Sequence, residues 1–379
     1  MLPSEETGLR RASSKTLRHL AFSGIVLLTL PWPAELAIPM AASRSDQTPS
    51  GSPEPAPAAA ELERARTLAA SGRMDAAAAA YRRVLARDAA SYEAHYELSQ
   101  VLIMQQKVEE AKTHLRSAME LRPGEAAPHA RLAQILLVMN ELQQAEKELL
   151  EAERLGSREV SVHYNLGRLH EQLNRNDEAL KEYLAFLDLA PDDPRANNIR
   201  SRVALYYENA DELDAAERVY KTLTQRDPAR ASAHFGLANV YYRRTKYEEA
   251  LPEYQKVVEL DPNNAAAHAN IGFIYRSRGM IKEATQEYER SVLLDGTSVS
   301  PRYFLGMLYA DQGEDDRAMA EFQQIVDKEP NHPQVHYAIG KLYVRKGNRE
   351  AAQREFELHR RIQAEERKKQ TTPSTMESH

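Results

Sequence analysis

From Glu61 to about Ala364, small and apolar positions return in one helical pattern, with a step of 34 residues in the clearest copies. Gly272, Gly306 and Gly340 fall on that step, as do Tyr275, Tyr309 and Tyr343. Ala284, Ala318 and Ala352 follow it, and Tyr288, Phe322 and Phe356 complete the set. Within a copy, groups such as Leu237, Ala238 and Tyr241 have the spacing of a helix that buries one face. A turn residue then appears at Gly72, Asn140, Asn174, Asp211, Gly279, Gly313 and Gly347. A helix ends most easily on a residue with positive φ, which Gly and Asn tolerate best. Gln106 and Thr245 depart from that rule, so their turns are expected to be strained or shaped differently. Pro123, Pro191, Pro228, Pro262 and Pro330 stop each second helix before the next copy begins. Gly or Ala at 133, 167, 204, 238, 272, 306 and 340 is expected to let two helix backbones approach closely. The pattern predicts about nine helical hairpins, hence eighteen paired helices and no β-sheet. No single hairpin can bury its own apolar face, so the units must stack.

The order of these positions resembles the tetratricopeptide repeat (TPR). That family places an aromatic, a Leu, a small residue and a Tyr on its first helix, then a small residue, an aromatic and a Pro on and after its second. Here His234, Leu237, Ala238, Tyr241, Ala250, Tyr254 and Pro262 match. So do His268, Ile271, Gly272, Tyr275, Ala284 and Tyr288, with Gly296 where Pro is usual. Arg302, Leu305, Gly306, Tyr309, Ala318, Phe322 and Pro330 follow, then His336, Ile339, Gly340, Tyr343, Ala352 and Phe356. Earlier copies are weaker but in register, at Ala77 and Tyr81, Ala111 and Leu115, Ala145 and Leu149, Ala179 and Tyr183, and Ala216 and Tyr220. The resemblance covers roughly four-fifths of the chain. It implies an all-α, right-handed superhelical solenoid whose concave groove binds protein or peptide partners.

One break in register stands out. From Gly167 to Ala204 the step lengthens to 37, with the extra residues in 191–198. This is either a longer inter-repeat loop or a bend, a seam between four N-terminal and five C-terminal repeats inside one array over 61–366. Pro252 falls inside a second helix, where it removes one backbone hydrogen bond and is expected to add a slight kink.

Upstream, Arg10, Arg11, Lys15 and Arg18 precede an apolar run from Leu20 to Leu30. That run is shorter than the ~20 residues a bilayer span needs. With Met40-Ala-Ala-Ser43 behind it, residues 1–42 have the layout of a secretory signal peptide, cleaved or retained as an N-terminal membrane anchor. Residues 43–60, rich in Pro, Ala and Ser, read as a disordered linker, and 367–379 as a charged, disordered tail. An exported chain is expected in the periplasm or outside the cell.

The formal charge is −6, and outside residues 1–42 it is −7. That argues against nucleic acid as a partner, which calls for a basic stripe. The chain has no Cys, which excludes disulfides, thiolate zinc sites and lipid-modified cysteine anchors. His95, His129, His163, His234, His268 and His336 share one repeat position and invite a metal reading. Stacked repeats place equivalent residues about 10 Å apart, whereas zinc gathers donors at about 2 Å, so each His is read as a stand-in for the aromatic knob. His170-Glu171 is half of a zinc-protease signature, with Asn at 174 where the second His belongs. Asp295-Gly-Thr-Ser298 is a turn by composition. No nucleophile elbow, phosphate loop or dinucleotide fingerprint occurs, so the expectation is no enzyme activity, no cofactor and no metal.

What remains is the groove. The family's geometry implies a partner-binding face at Phe235, Asn239, Tyr242, Arg243, Asn270, Phe273, Arg276, Tyr303, Met307, Tyr337, Lys341 and Arg345. Asn can hold an extended backbone, Arg reads carboxylates and aromatics form apolar pockets. Asn239 and Asn270 sit where chaperone-clamping relatives carry two asparagines, but Phe235, Ser300 and Phe304 stand at the cation positions. The functions left open are an exported interaction scaffold, a membrane-anchored chaperone or assembly factor for exported polypeptides, and a regulatory subunit of a separate enzyme.

Overall fold

The structure, a computed structural model, describes residues 57–371. The expected signal segment, residues 43–56 of the expected linker and residues 372–379 of the expected tail lie outside the described residues. Described residues form eighteen α-helices and no strand. The first three pairs are α1 (Pro57–Ala70) with α2 (Met74–Arg87), α3 (Tyr92–Met104) with α4 (Val108–Leu121), and α5 (Ala126–Val138) with α6 (Leu142–Arg154). Next come α7 (Val160–Gln172) with α8 (Asn176–Leu189), α9 (Ala196–Asn209) with α10 (Leu213–Arg226), and α11 (Ala231–Arg243) with α12 (Tyr247–Leu260). The last are α13 (Ala265–Ser277) with α14 (Ile281–Leu294), α15 (Val299–Asp311) with α16 (Asp315–Lys328), and α17 (Pro333–Arg345) with α18 (Arg349–Thr371). Each odd-numbered helix packs on the even-numbered helix that follows it. The helices fall into two compact units, one through Pro128 and one from His129.

Two boundaries differ from expectation. Helix α1 starts at Pro57, inside the expected linker, because Pro suits the first helical position, where no N–H is needed. Helix α18 runs to Thr371, past the expected start of the tail.

The turns follow the pattern, including its two exceptions. Asn140, Asn174 and Asp211 have φ of 60°, 57° and 63°, and Gln106 and Thr245 adopt the same left-handed conformation at 60° and 57°. These two turns are thus strained rather than differently shaped. For Thr245 the cost is highest, since a β-branched side chain crowds the carbonyl in that region.

The glycines among the small residues work differently from expectation. At Gly167, Gly272, Gly306 and Gly340 the nearest neighbour across the hairpin is an aromatic ring, not a backbone. A Cβ on Gly306 would stand 2.7 Å from Phe322, and one on Gly340 2.6 Å from Phe356. At Gly167 the ring of Tyr183 is 2.5 Å away. The glycine therefore makes the slot into which the second helix inserts its ring.

Within 191–198, residues 191–195 form a pinned loop and 196–198 open α9. Arg200 donates to the Pro191 carbonyl at 2.6 Å, Arg226 pairs with Asp192 at 2.6 Å, and Arg195 holds Asp193. Tyr183, Phe186, Ala196, Ile199 and Val203 form one buried cluster across it, so the core does not stop at the register break. Helix α12 runs through Pro252, which lies exposed on its surface.

Candidate functional site

The first helices of the C-terminal repeats carry a row of half-buried rings. Phe235, Tyr242 and Tyr247 lean on the buried cluster around Tyr254. Tyr242 meets Phe273 edge-on at 5.2 Å, and Tyr247 meets the same ring at 5.8 Å. The Arg276 guanidinium lies over Phe273 at 5.5 Å and over Phe304 at 4.5 Å. Phe304 meets Tyr303 at 5.6 Å, and Tyr303 stacks on His332 at 5.9 Å. The row thus runs from α11 to the start of α17, with one cation in its middle. Met307 packs beside it on the cluster of Leu305 and Leu308. Aromatic faces with a cation between them suit an apolar anchor next to a negative charge.

Phe235, Tyr242, Phe273, Arg276, Tyr303 and Met307 thus come together along this face. Two neighbours that the sequence reading did not place there, Tyr247 and Phe304, complete it. Tyr247 opens a second helix, and Phe304 was noted only for the cation it replaces.

Both asparagines converge on a core hydroxyl. Tyr254 donates to Asn239 Oδ1 at 2.7 Å, and Asn270 reaches the same hydroxyl. Burial and Tyr242 push the Tyr254 phenol up, and the Asn270 hydrogen bond opposes them. Asn239, expected on the partner-binding face, therefore also holds the core. Asn239→Ala strips a fully buried Tyr254 of its acceptor and is expected to cost about 1–2 kcal/mol in chemical denaturation. An unchanged midpoint would show that Asn270 satisfies the hydroxyl alone.

Two of the expected cations are already engaged. Arg243 donates to the Glu208 carbonyl at 3.0 Å and pairs with Asp211 at 2.7 Å. Arg345 repeats the device three copies later, with the Ala310 carbonyl and Asp315 each at 2.7 Å. Both tie neighbouring repeats together, so the cationic strip reduces to Arg276 and Lys341. Lys341 sits 6.0 Å above Tyr337. Tyr337, 48% exposed, lies apart from the row, in an open cleft of about 480 Å³ with Val344, Phe356 and His359.

The repeat-position histidines form polar pairs. Nδ1 lies 2.6–2.7 Å from a glutamate on the next helix in His129–Glu148, His163–Glu182, His234–Glu253, His268–Glu287 and His336–Glu355. His234 and His336 also place Nε2 at 3.1 Å and 2.8 Å from the carbonyls of Pro228 and Pro330. Arg302 takes the same place and makes the same contacts, to Glu321 at 2.5 Å and the Gly296 carbonyl at 3.2 Å. The position therefore selects a hydrogen-bond donor, which corrects its reading as an aromatic knob. Glu153, His163 and Glu182 bring three metal-ligating atoms within 4.8 Å of one another, but Lys181 sits 3.5 Å and 3.1 Å from the two carboxylates. His170 faces Glu146 at 3.3 Å, while its sequence neighbour Glu171 accepts from Tyr183 and Arg202. Asp295 closes its turn by accepting from Ser298 and Thr297, which hold its carboxyl down at about 2.

Stacked helical hairpins carrying a half-buried aromatic face define a helical-repeat protein that presents a surface. The chain belongs to the tetratricopeptide repeat family. Residues 239–279 match the pattern described as TPR repeat. Two tetratricopeptide repeat patterns match 62–126 and 131–194, and 105–155 and 275–342. No curated protein matches the chain. Among solved structures, a TPR protein from Cytophaga hutchinsonii is similar at 14% identity and TM-score 0.48, over 63% of this chain and 97% of its own. MamA is similar at 23% identity and TM-score 0.41, over 44% and 97%. YrrB, a TPR protein with an unusual peptide-binding site, is similar at 18% identity and TM-score 0.42, over 53% and 97%. Among the described residues no helix is long and apolar enough to cross a membrane.

Proposed function

We propose that this chain is a non-enzymatic scaffold that binds a protein or peptide partner along the aromatic row of α11, α13 and α15, and that it works outside the cytoplasmic membrane. The observation that carries the binding reading is the unbroken line Tyr242, Phe273, Arg276, Phe304, Tyr303, half-buried on successive first helices. TPR proteins bind protein or peptide partners, and large rings on a fixed frame lose little entropy on contact. The export reading rests on the basic start and short apolar run of residues 1–42.

Affinity capture from an envelope fraction, run in parallel with the wild type and a Phe273→Ala, Phe304→Ala variant, tests the first part. The partner should be retained by the wild type and lost from the variant, with a cost of about 2 kcal/mol or more. Equal retention would move the site off the row. N-terminal sequencing of the mature protein tests the second part, since a cytoplasmic chain starting at Met1 would overturn export.

A further inference from the structure

At four places the chain closes the same polar triangle of a tyrosine hydroxyl, an arginine and its own glutamate. Tyr81 donates to Glu97 at 3.1 Å, and Arg66 pairs with that carboxylate at 2.6 Å. Tyr183 donates to Glu171 at 2.9 Å, and Arg202 pairs with it too. Tyr220 donates to Glu208 at 3.1 Å, with Arg243 at 3.9 Å. Tyr309 donates to Glu289 at 2.6 Å, with Arg317 at 2.8 Å. In three of them the carboxylate accepts from both donors, and Glu208 accepts from Tyr220 while Arg243 stands by as an ion pair.

The repeat of α13 and α14 has two corners of this triangle and lacks the third. Tyr288 is 1% exposed, and its hydroxyl has no hydrogen-bond partner. Arg276 lies over the Phe304 ring at 4.5 Å, Tyr288 stacks on the same ring at 5.8 Å, and the buried Nε of Arg276 has no partner either. The comparison with Tyr183 shows how the gap arises. Arg276 stands at the repeat position of Glu171, and Phe304 at that of Arg202, so the acid has become a base and its cation a ring. A buried hydroxyl and a buried guanidinium Nε that both lack an acceptor are costly unless an anion completes them.

We propose that Arg276 and Tyr288 form a carboxylate subsite, taking the Asp or Glu side chain of a partner that lies along the aromatic row. This rests on the reading of that row as the binding face. The row continues on both sides, to Tyr242 and to Tyr303, so the acid comes from within the partner's chain and an aromatic neighbour rests on Phe273 or Phe304. The missing corner is a carboxylate because the chain supplies one at each of the four completed triangles.

A random dodecapeptide library with amidated C-termini, selected on the full chain, supplies the probe. Selected peptides should carry Asp or Glu within two positions of an aromatic residue. In fluorescence anisotropy, exchange of that Glu for Gln should weaken binding about tenfold. Arg276→Gln should weaken the acidic peptide by the same factor, add little to the loss of the Gln peptide, and leave the helical circular dichroism unchanged. Arg276→Lys should restore part of the loss. The Glu-to-Gln exchange needs no protein variant, so a folding defect cannot mimic it. Peptides lost on Phe304→Ala but indifferent to both charge exchanges would overturn the subsite and leave the binding face standing. Peptides indifferent to Phe304→Ala, or a library that yields no binder, would overturn both. Binding that requires a free C-terminal carboxylate would also overturn the side-chain assignment.

Discussion

Gly306→Leu is expected to lower the unfolding free energy by about 3 kcal/mol, the upper part of the range for overpacked cores. A bare Cβ at this position already stands 2.7 Å from the Phe322 ring, and Phe322 is fully buried, so the ring has nowhere to turn. Leucine adds three more carbons in the same direction. The chain itself suggests the rescue. Where the second-helix position is Leu149, the small position is Ala133, and both are fully buried. Gly306→Ala should therefore be costly alone and much cheaper beside Phe322→Leu, which shortens the facing side chain. Urea denaturation of the four proteins gives the coupling energy, expected at about 1 kcal/mol or more. Strict additivity would mean that Gly306 is not set by the ring.

The parts of the fold legible in the sequence were those whose cause is local. The left-handed turns at Asn140, Asn174 and Asp211 follow from what a helix end asks of one residue. The role of Gly306 was half legible. Its small size could be read, but the ring that needs it comes from the other helix of the hairpin. Arg243 and Arg345 read as free cations because their partners, Asp211 and Asp315, lie about one repeat away. The histidine position carried a signal that single positions hide. Glu148, Glu182, Glu253, Glu287 and Glu355 each follow their histidine by 19 residues. That constant offset, together with Arg302 and Glu321 in the same register, marks a paired polar contact rather than an aromatic knob. The partnerless Nε of Arg276 could not be read at all, since it depends on which side chains of the neighbouring helices surround it.

That polar register supports the second large effect. His163→Phe is expected to cost about 3 kcal/mol near neutral pH, whereas His163→Arg should cost under about 1 kcal/mol. Phenylalanine keeps the ring but removes the Nδ1 contact 2.7 Å from Glu182, whose side chain is 2% exposed. Burial alone would push the Glu182 carboxyl up, but hydrogen bonds from His163 and Lys181 outweigh it and hold the carboxyl below its ordinary range. A carboxyl held down in the fold contributes stability above the unfolded carboxylate range, and that contribution is lost as pH falls through the folded value. Removing His163 therefore costs most near pH 7 and less in acid, where Glu182 takes up a proton and its burial no longer isolates a charge. Arginine restores a donor, as Arg302 does toward Glu321 at 2.5 Å. Urea denaturation of both variants near pH 7 and near pH 4 separates charge from shape. Equal losses for Phe and Arg, or a Phe penalty that does not shrink in acid, would show that the position selects ring volume after all.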